Sequence, residues 1–365
     1  MSSTPLAARR RATITDVARE AGTGKTSISR YLNGETSVLS PELRARIEAA
    51  IERLDYQPNQ MARGLKRGRN RLIGMLLADL TNPYTVEVLQ GVEAACHALG
   101  LMPLICHAAN EVEMERRYLQ LLTTYRVEGV IVNALGVREE TLRPVGGGGI
   151  PAVLVDRSVD GLTADMVGLD NRAAAELGTR HLLDAGFDEI WFVVQPFEQV
   201  SSRQVRETAF REVMSAQTGG GMARGRTLVL DLADPREVER SLCTLDRTID
   251  ATPRAPADAA RHAGADTAPK ARPVALFAAN APVALCLALH LKARYGDDWQ
   301  TRVALLSIDD PEWAELTGVT TIRQPTYEIG YRAVELLHER IEGVQTSARD
   351  YLLPGELIVR ASTSR

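Results

Sequence analysis

Residues 25–32 read Lys-Thr-Ser-Ile-Ser-Arg-Tyr-Leu. On a helix, Ile28 and Leu32, four apart, share one face, and Lys25, Thr26, Ser29 and Arg30 fall on another. That second face is polar and cationic. Arginine and lysine can reach guanine acceptors in the major groove, and hydroxyls can grip phosphate oxygens. A different chemistry recurs further along the chain. Asp79 and Asn82, Asn133, Asp156 and Arg157, Asp170 and Asn171, the group Ser201, Ser202, Arg203 and Arg206, then Asn280, Asp309 and Asp310 each follow a short apolar run or open a helical one. Carboxylates and amides pair with hydroxyls, and arginine clamps a carboxylate, so these residues suit a polyhydroxylated or anionic small molecule. Taken singly, each would serve as a helix cap or loop residue. Their recurrence at successive run ends points to a binding site.

No comparable set points to catalysis. There is no G-x-S-x-G, H-E-x-x-H or G-x-G-x-x-G, and the histidines (97, 107, 181, 262, 290 and 338) are scattered. Cys96, Cys106, Cys243 and Cys286 form no C-x-x-C, so they call for neither zinc nor disulfides. Gly24-Lys25-Thr26 resembles the end of a phosphate-binding loop. Arg19 stands where that loop needs its first glycine, and a helix rather than a strand precedes it. No metal or cofactor is called for.

The elements that must position these groups divide the chain. Residues 13–56 predict three short helices. The first is capped by Thr15 and stopped at Gly22, the second starts near Gly24 and ends at Asn33-Gly34, and the third starts at Ser40-Pro41. A helix, a tight glycine turn and a second helix make a helix-turn-helix. From Leu72 the pattern changes to apolar runs at 72–78, 102–106, 129–133, 152–155, 190–194, 228–230, 274–277 and 303–308. Amphipathic stretches lie between them at about 84–99, 111–125, 171–185, 203–216, 281–295 and 326–342. This βα alternation predicts parallel sheets in two doubly wound subdomains, with ligands beyond the carboxyl ends of the strands. The expected layout is a disordered basic arm at 1–12, the helical domain at 13–56, a linker at 57–71 and a sensor domain at 72–365. The last contains a disordered insertion at about 246–273, rich in Ala, Pro, Asp and Arg, and a glycine run at 146–149 also reads as a loop.

The chain has 365 residues, 43 Lys plus Arg against 47 Asp plus Glu, and a net charge of -4. That average hides an asymmetry. Residues 1–71 hold 14 basic and 7 acidic side chains, a net of +7, and the remainder holds 29 against 40, a net of -11. A small basic head on a large acidic body implies that the head meets a polyanion. The linker holds Arg63, Lys66, Arg67, Arg69 and Arg71 and no acid, with Met61 and Leu65 on one face of a potential short helix. An apolar side chain on a basic helix can wedge between base pairs in a minor groove. No run of about 18 apolar residues marks a membrane span, and no apolar stretch follows Arg9, Arg10 and Arg11, so a cytoplasmic protein is expected.

Motifs in order along the chain resemble the LacI/GalR regulators. They begin with Thr13-Ile14-Thr15-Asp16-Val17-Ala18, Ser29-Arg30-Tyr31-Leu32-Asn33-Gly34 and Tyr56-Gln57-Pro58-Asn59. Leu80-Thr81-Asn82-Pro83-Tyr84, Val167-Gly168-Leu169-Asp170-Asn171-Arg172, Ala278-Ala279-Asn280, Ile308-Asp309-Asp310 and Thr321-Ile322-Arg323-Gln324-Pro325 follow. Residues 60–69, Leu89–Cys96 and Val132–Gly136 resemble, more narrowly, 2-ketogluconate utilisation repressors. The resemblance implies a homodimeric transcriptional repressor that binds a palindrome in double-stranded DNA and answers to a small-molecule effector, here a sugar acid. A repressor answering to gluconate or a neutral sugar is the alternative, and after it a sugar-binding protein without a DNA role, against which the basic head counts. Lys25, Thr26 and Arg30 match its base readers; Ser27, Ser29 and Asn33 match backbone contacts; Thr15 and Asn59 complete the DNA-facing set. Leu65 matches the intercalating hinge leucine, with Lys66 beside it. Tyr84, Thr85, Asp156, Arg206, Asn280 and Asp309 match effector contacts, with Arg157, Ser202 and Arg203 adjoining. Gly24 departs from the usual serine cap of the reading helix. Ala281 departs from an acid after Asn280, a loss that would ease binding of an anion, and Ser307 stands in place of a glycine. No leucine heptads close the chain, so tetramers are not expected.

Overall fold

A computed structural model describes residues 11–58, 69–133, 149–159, 163–197, 200–217, 223–251 and 274–364. By internal contact the chain divides into two units, Met1–Asn70 and Arg71–Arg365.

In the first unit, α1 (Ile14–Glu20), α2 (Lys25–Leu32) and α3 (Pro41–Arg53) enclose a small core of Val17, Ala18, Ala21, Ile28, Leu39, Ile47 and Ala50. Thr13 caps α1 through a capping box, its own amide and hydroxyl reaching Asp16 Oδ2 at 2.9 and 2.7 Å. The expected cap, Thr15, lies instead inside the first turn of α1. Two residues upstream, Thr13 has the extended backbone a cap requires, and Asp16 sits at the reciprocating third position. Gly22 turns the chain in the left-handed region at φ 60°, and the Arg46 guanidinium covers the open carbonyls of Ala21 and Gly22. Ser40 caps α3 by accepting from Leu43 N at 3.2 Å.

The second unit holds two six-stranded sheets, ordered β11-β5-β4-β3-β1-β2 and β12-β10-β9-β8-β6-β7. The first is built from β1 (Leu72–Leu77), β2 (Met102–His107), β3 (Gly129–Asn133), β4 (Ala152–Val155), β5 (Asp165–Leu169) and β11 (Asp350–Leu353). The second contains β6 (Glu189–Val194), β7 (Arg224–Val229), β8 (Val274–Ala278), β9 (Val303–Ile308), β10 (Thr320–Arg323) and β12 (Glu356–Ile358). Among the described residues, every strand pairing is parallel except β10 with β12. Central strands β3, β4, β8 and β9 are buried at every residue, as helices on both faces require. Those helices are α4 (Pro83–Leu99), α5 (Val112–Thr124), α6 (Asn171–Asp184), α7 (Ser201–Ala216), α8 (Pro235–Ala251), α9 (Ala281–Tyr295), α10 (Glu312–Thr317) and α11 (Thr326–Ile341).

The chain crosses between sheets after β5, after β10 and after β11. The crossings lie side by side, since a Cβ on Gly355 would stand 2.7 Å from Ile322 and 3.2 Å from Leu169. α11 returns to the first sheet and packs on α4 at Gly91 and Gly330. A Cβ at either would meet the opposite backbone carbonyl at 2.0 Å, so only glycine admits this approach.

The observed strands and helices exceed the apolar runs. β5, β10, β11 and β12 are short and mixed in polarity, and pairing with neighbours rather than local pattern makes them strands. α8 extends to Ala251 and corrects the expectation of disorder from residue 246, because Ile249 continues the buried stripe of Leu242 and Leu245. Asp246 is buried with it and meets His290 Nε2 at 2.8 Å. The arm before residue 11, residues 59–68, the glycines 146–148 and residues 252–273 lie outside the described residues. Arg71, counted with the basic linker, is engaged on the second unit, donating from its amide to Glu128 and from Nη1 to the Leu99 carbonyl at 3.0 Å.

Candidate functional site

A cavity of about 660 Å³ opens between the carboxyl ends of the two sheets. From the first sheet it receives Asp79 after β1, Tyr84 and Thr85 from the first turn of α4, Asn110 after β2, Asn133 at the end of β3, and Asp156 and Arg157 after β4. From the second come Gln195 after β6, Ser202, Arg203 and Arg206 on α7, Asp231 after β7, Asn280 after β8, Asp309 after β9 and Gln324 after β10. Asp156 and Asp309 occupy corresponding places in the two halves. Each follows its strand in the left-handed region, at φ 66° and 79°. Each donates its amide across to the next strand, to Val167 O at 2.9 Å and Ile322 O at 3.0 Å. That conformation costs most residues about 1–2 kcal/mol, and here it turns both carboxylates into the cavity.

Side chains tie the two walls together. Ser202 Oγ donates to Asp156 Oδ2 at 3.1 Å, and the Ser158 amide donates to Ser201 Oγ at 3.0 Å. Arg206 is 4% exposed and donates Nε to Asn171 Oδ1 at 2.6 Å and Nη1 to Ala279 O at 2.7 Å, and its Nη2 lies 3.8 Å from Asp156. Asn280 caps α9 by accepting from Val283 N at 3.1 Å and donates to Gln195 Oε1 at 2.7 Å. Asp309 accepts from the Ala281 amide at 2.8 Å and from Gln324 Nε2 at 2.5 Å. The amide after Asn280 therefore serves Asp309, and Ala281 keeps a second carboxylate out of that corner.

Burial governs the electrostatics. It pushes the Asp309 carboxyl up against the opposing pull of Arg206, and pushes the Tyr84 phenol well up, helped by Asp156 and Asp309. Among the described residues, the buried Tyr84 hydroxyl has no hydrogen-bond partner, and neither does Gln324 Oε1. Burial also lowers Arg157. Arg203 is brought down to about 10, first by burial and then by Arg157 and Arg206. The cavity thus presents hydroxyl-pairing carboxylates and amides beside a cluster of guanidiniums.

The structure brings together all nine residues expected from sequence at an effector site: Tyr84, Thr85, Asp156, Arg157, Ser202, Arg203, Arg206, Asn280 and Asp309. Asp79, Asn82 and Asn133, which the sequence places in the polar strand-end set, line the same cavity, and the structure adds Asn110, Gln195, Asp231 and Gln324. Gln195 follows a recognisable strand and could have been included on that ground. Gln324 follows β10, whose four residues show no strand pattern.

In the first unit, α2 exposes Lys25, Thr26 and Arg30, leaves Ser27, Ser29 and Asn33 half-buried, and buries Ile28. Thr15 is exposed on α1. Neither Lys25 nor Arg30 forms an ion pair among the described residues, so both cations remain open to a polyanion. Gly24 offers α2 no side-chain cap. Asn59, Leu65 and Lys66 lie outside the described residues.

A two-halved α/β body with a polar cleft at its strand ends is a sensor for a small hydrophilic molecule. A helix-turn-helix with an open cationic second helix is a duplex reader. Residues 13–59 match the family described as bacterial regulatory proteins, lacI family, and residues 70–219 match periplasmic binding proteins and sugar binding domain of LacI family. Residues 179–363 match a periplasmic binding protein-like domain. The chain is 40% identical to the HTH-type transcriptional regulator PtxS of Pseudomonas aeruginosa, covering 100% of this chain and 99% of that protein. It is 31% identical to the HTH-type transcriptional regulator KdgR of Bacillus subtilis, over 96% and 97% of the two chains. A lac repressor dimer, bound to operator and the anti-inducer ONPF, shares the fold with a TM-score of 0.78 at 22% identity, over 97% of this chain and 99% of that one. The chain belongs to the LacI family: it is a ligand-responsive, DNA-binding transcriptional regulator.

Proposed function

We propose that the protein is a cytoplasmic, homodimeric repressor, without a catalytic step, whose effector is a sugar acid, with 2-ketogluconate the foremost candidate. One observation carries the choice of ligand: a cavity that pairs Asp156, Asp309 and Asn280 with three guanidiniums, Arg157, Arg203 and Arg206, on its lining. Carboxylates and amides hold the hydroxyls of the sugar, and the cationic cluster accommodates its carboxylate. In this reading Lys25, Thr26 and Arg30 read bases, and Thr15, Ser27, Ser29, Asn33, Asn59 and Lys66 hold the backbone. Leu65 wedges at the centre of a palindrome. Ligand and operator bias one conformational equilibrium, so each changes the affinity of the other by the same factor.

Two measurements test it. The full chain is melted with 2-ketogluconate, gluconate, fructose and glucose; at a hundred times its Kd the true effector adds about 2.7 kcal/mol. Stabilisation by neutral sugars alone refutes the sugar-acid reading. Binding to a palindrome selected from random duplexes is then followed against salt. Arg30→Ala and Leu65→Ala should each weaken it at least about tenfold, with a steep salt slope in the parent chain. A flat slope, or no loss with either variant, refutes the DNA roles.

A further inference from the structure

Arg206 is the one arginine among the residues that match effector contacts, but its guanidinium is already engaged by Asn171, the Ala279 carbonyl and Asp156 and is almost wholly buried. Arg206 is a post that positions those groups. Arg203, one turn earlier on α7, stands differently. It is half-buried on the cavity wall, and its acceptors are neutral, Pro196 O and Gln195 Oε1, both at 2.8 Å. Among the described residues no carboxylate lies within ion-pairing distance of it. We propose that Arg203, with the neighbouring Arg157, takes the carboxylate of the ligand and so decides between a sugar acid and a neutral sugar. This assignment rests on the sugar-acid reading above.

The physics favours that place. Burial first, and then two like charges, Arg157 and Arg206, hold the Arg203 guanidinium below its usual range against the weaker pull of Asp156 and Asp231. A carboxylate entering there supplies the missing counter-charge and gains charge-assisted hydrogen bonds where water is sparse. A hydroxymethyl group in the same place can accept a hydrogen bond but brings no counter-charge. Gln195 fixes the geometry, since its Oε1 accepts from both Arg203 and Asn280 and so joins the cationic corner to the hydroxyl-binding one. The buried Tyr84 hydroxyl, without a hydrogen-bond partner among the described residues and near enough to Arg157 to affect its charge, is a further donor on the same approach.

The test is calorimetric titration of the full chain with 2-keto-D-gluconate and with D-fructose, its counterpart carrying CH2OH in place of the carboxylate. The parent chain should prefer the acid by at least about tenfold. Arg203→Met, which keeps the aliphatic stem, should weaken the acid by about ten- to a hundredfold and move fructose less than about threefold. Arg203→Lys should keep the preference. The assignment falls if Arg203→Met binds the acid as the parent does, if it loses both ligands equally, or if Arg203→Lys loses the preference as fully as the methionine variant. A parent chain without any preference for the acid overturns the sugar-acid reading itself, and that result is visible before any variant is made.

Discussion

Replacing Asp165 by Asn should destabilise the sensor unit by an amount the structure sets. The Asp165 side chain opens β5, is fully buried, and accepts from Arg340 Nε at 2.8 Å and Nη2 at 2.7 Å, from the Arg349 amide at 2.9 Å and from Arg349 Nη2 at 3.2 Å. Arg340 ends α11 and Arg349 leads into β11, so one carboxylate secures the last return of the chain to the first sheet. Burial alone would raise its pKa; the hydrogen bonds from the two arginines outweigh burial and bring it from 3.8 to about 2. At roughly 1.4 kcal/mol per unit, that difference is worth about 2 kcal/mol. Because the folded value is the lower one, this stability is fully present above the unfolded pKa near 4 and is lost as pH falls through 2. About half should remain at pH 3. Asp165→Asn should therefore cost about 2–4 kcal/mol at neutral pH, the upper end reflecting guanidiniums left without their partner. For a unit of this size that is roughly 5 °C of melting temperature. Calorimetric melts of both chains between pH 7 and pH 3 measure it. A deficit below 1 °C at pH 7, or one that does not shrink on acidification, refutes the reasoning.

Gly91→Ala places a Cβ 2.0 Å from the Tyr327 carbonyl, so α4 and α11 must separate. The expected loss is about 1–3 kcal/mol in a thermal melt, with weaker effector binding because α4 carries Tyr84 and Thr85. Gly24→Ser should act the other way. The backbone there is extended, at φ -80° and ψ 155°, and a Cβ meets nothing within 4 Å, so the serine can cap α2. Stability of the helical unit should rise by about 0.3 kcal/mol, read as slower amide exchange at Ser27, and unchanged exchange refutes the cap.

Much of the site was legible because doubly wound sheets place ligands at strand ends. Asp156, Asn280 and Asp309 follow unmistakable apolar runs, so a local pattern located them. Gln324 escaped because β10, with two threonines and an arginine in four residues, becomes a strand only by pairing with β9 and β12. α8 is absent from the expected helices, and its last turn falls in the expected insertion, because its stripe continues into a segment whose composition is that of a loop.

The sequence by itself determined the division of labour. Helix periodicity and charge are local properties, so the reading face of α2, the basic head and acidic body, and the alternation that makes parallel sheets are all written in consecutive residues. Tertiary structure decided which of several arginines has charge to offer. Arg203 and Arg206 are three residues apart on one helix and chemically identical. One is engaged by Asn171, Ala279 and Asp156, which come from three other parts of the chain, and among the described residues the other meets neutral acceptors. The left-handed turns at Asp156 and Asp309 are of the same kind, held by hydrogen bonds to neighbouring strands. Such differences depend on partners distant in sequence, and only the folded chain brings them into contact.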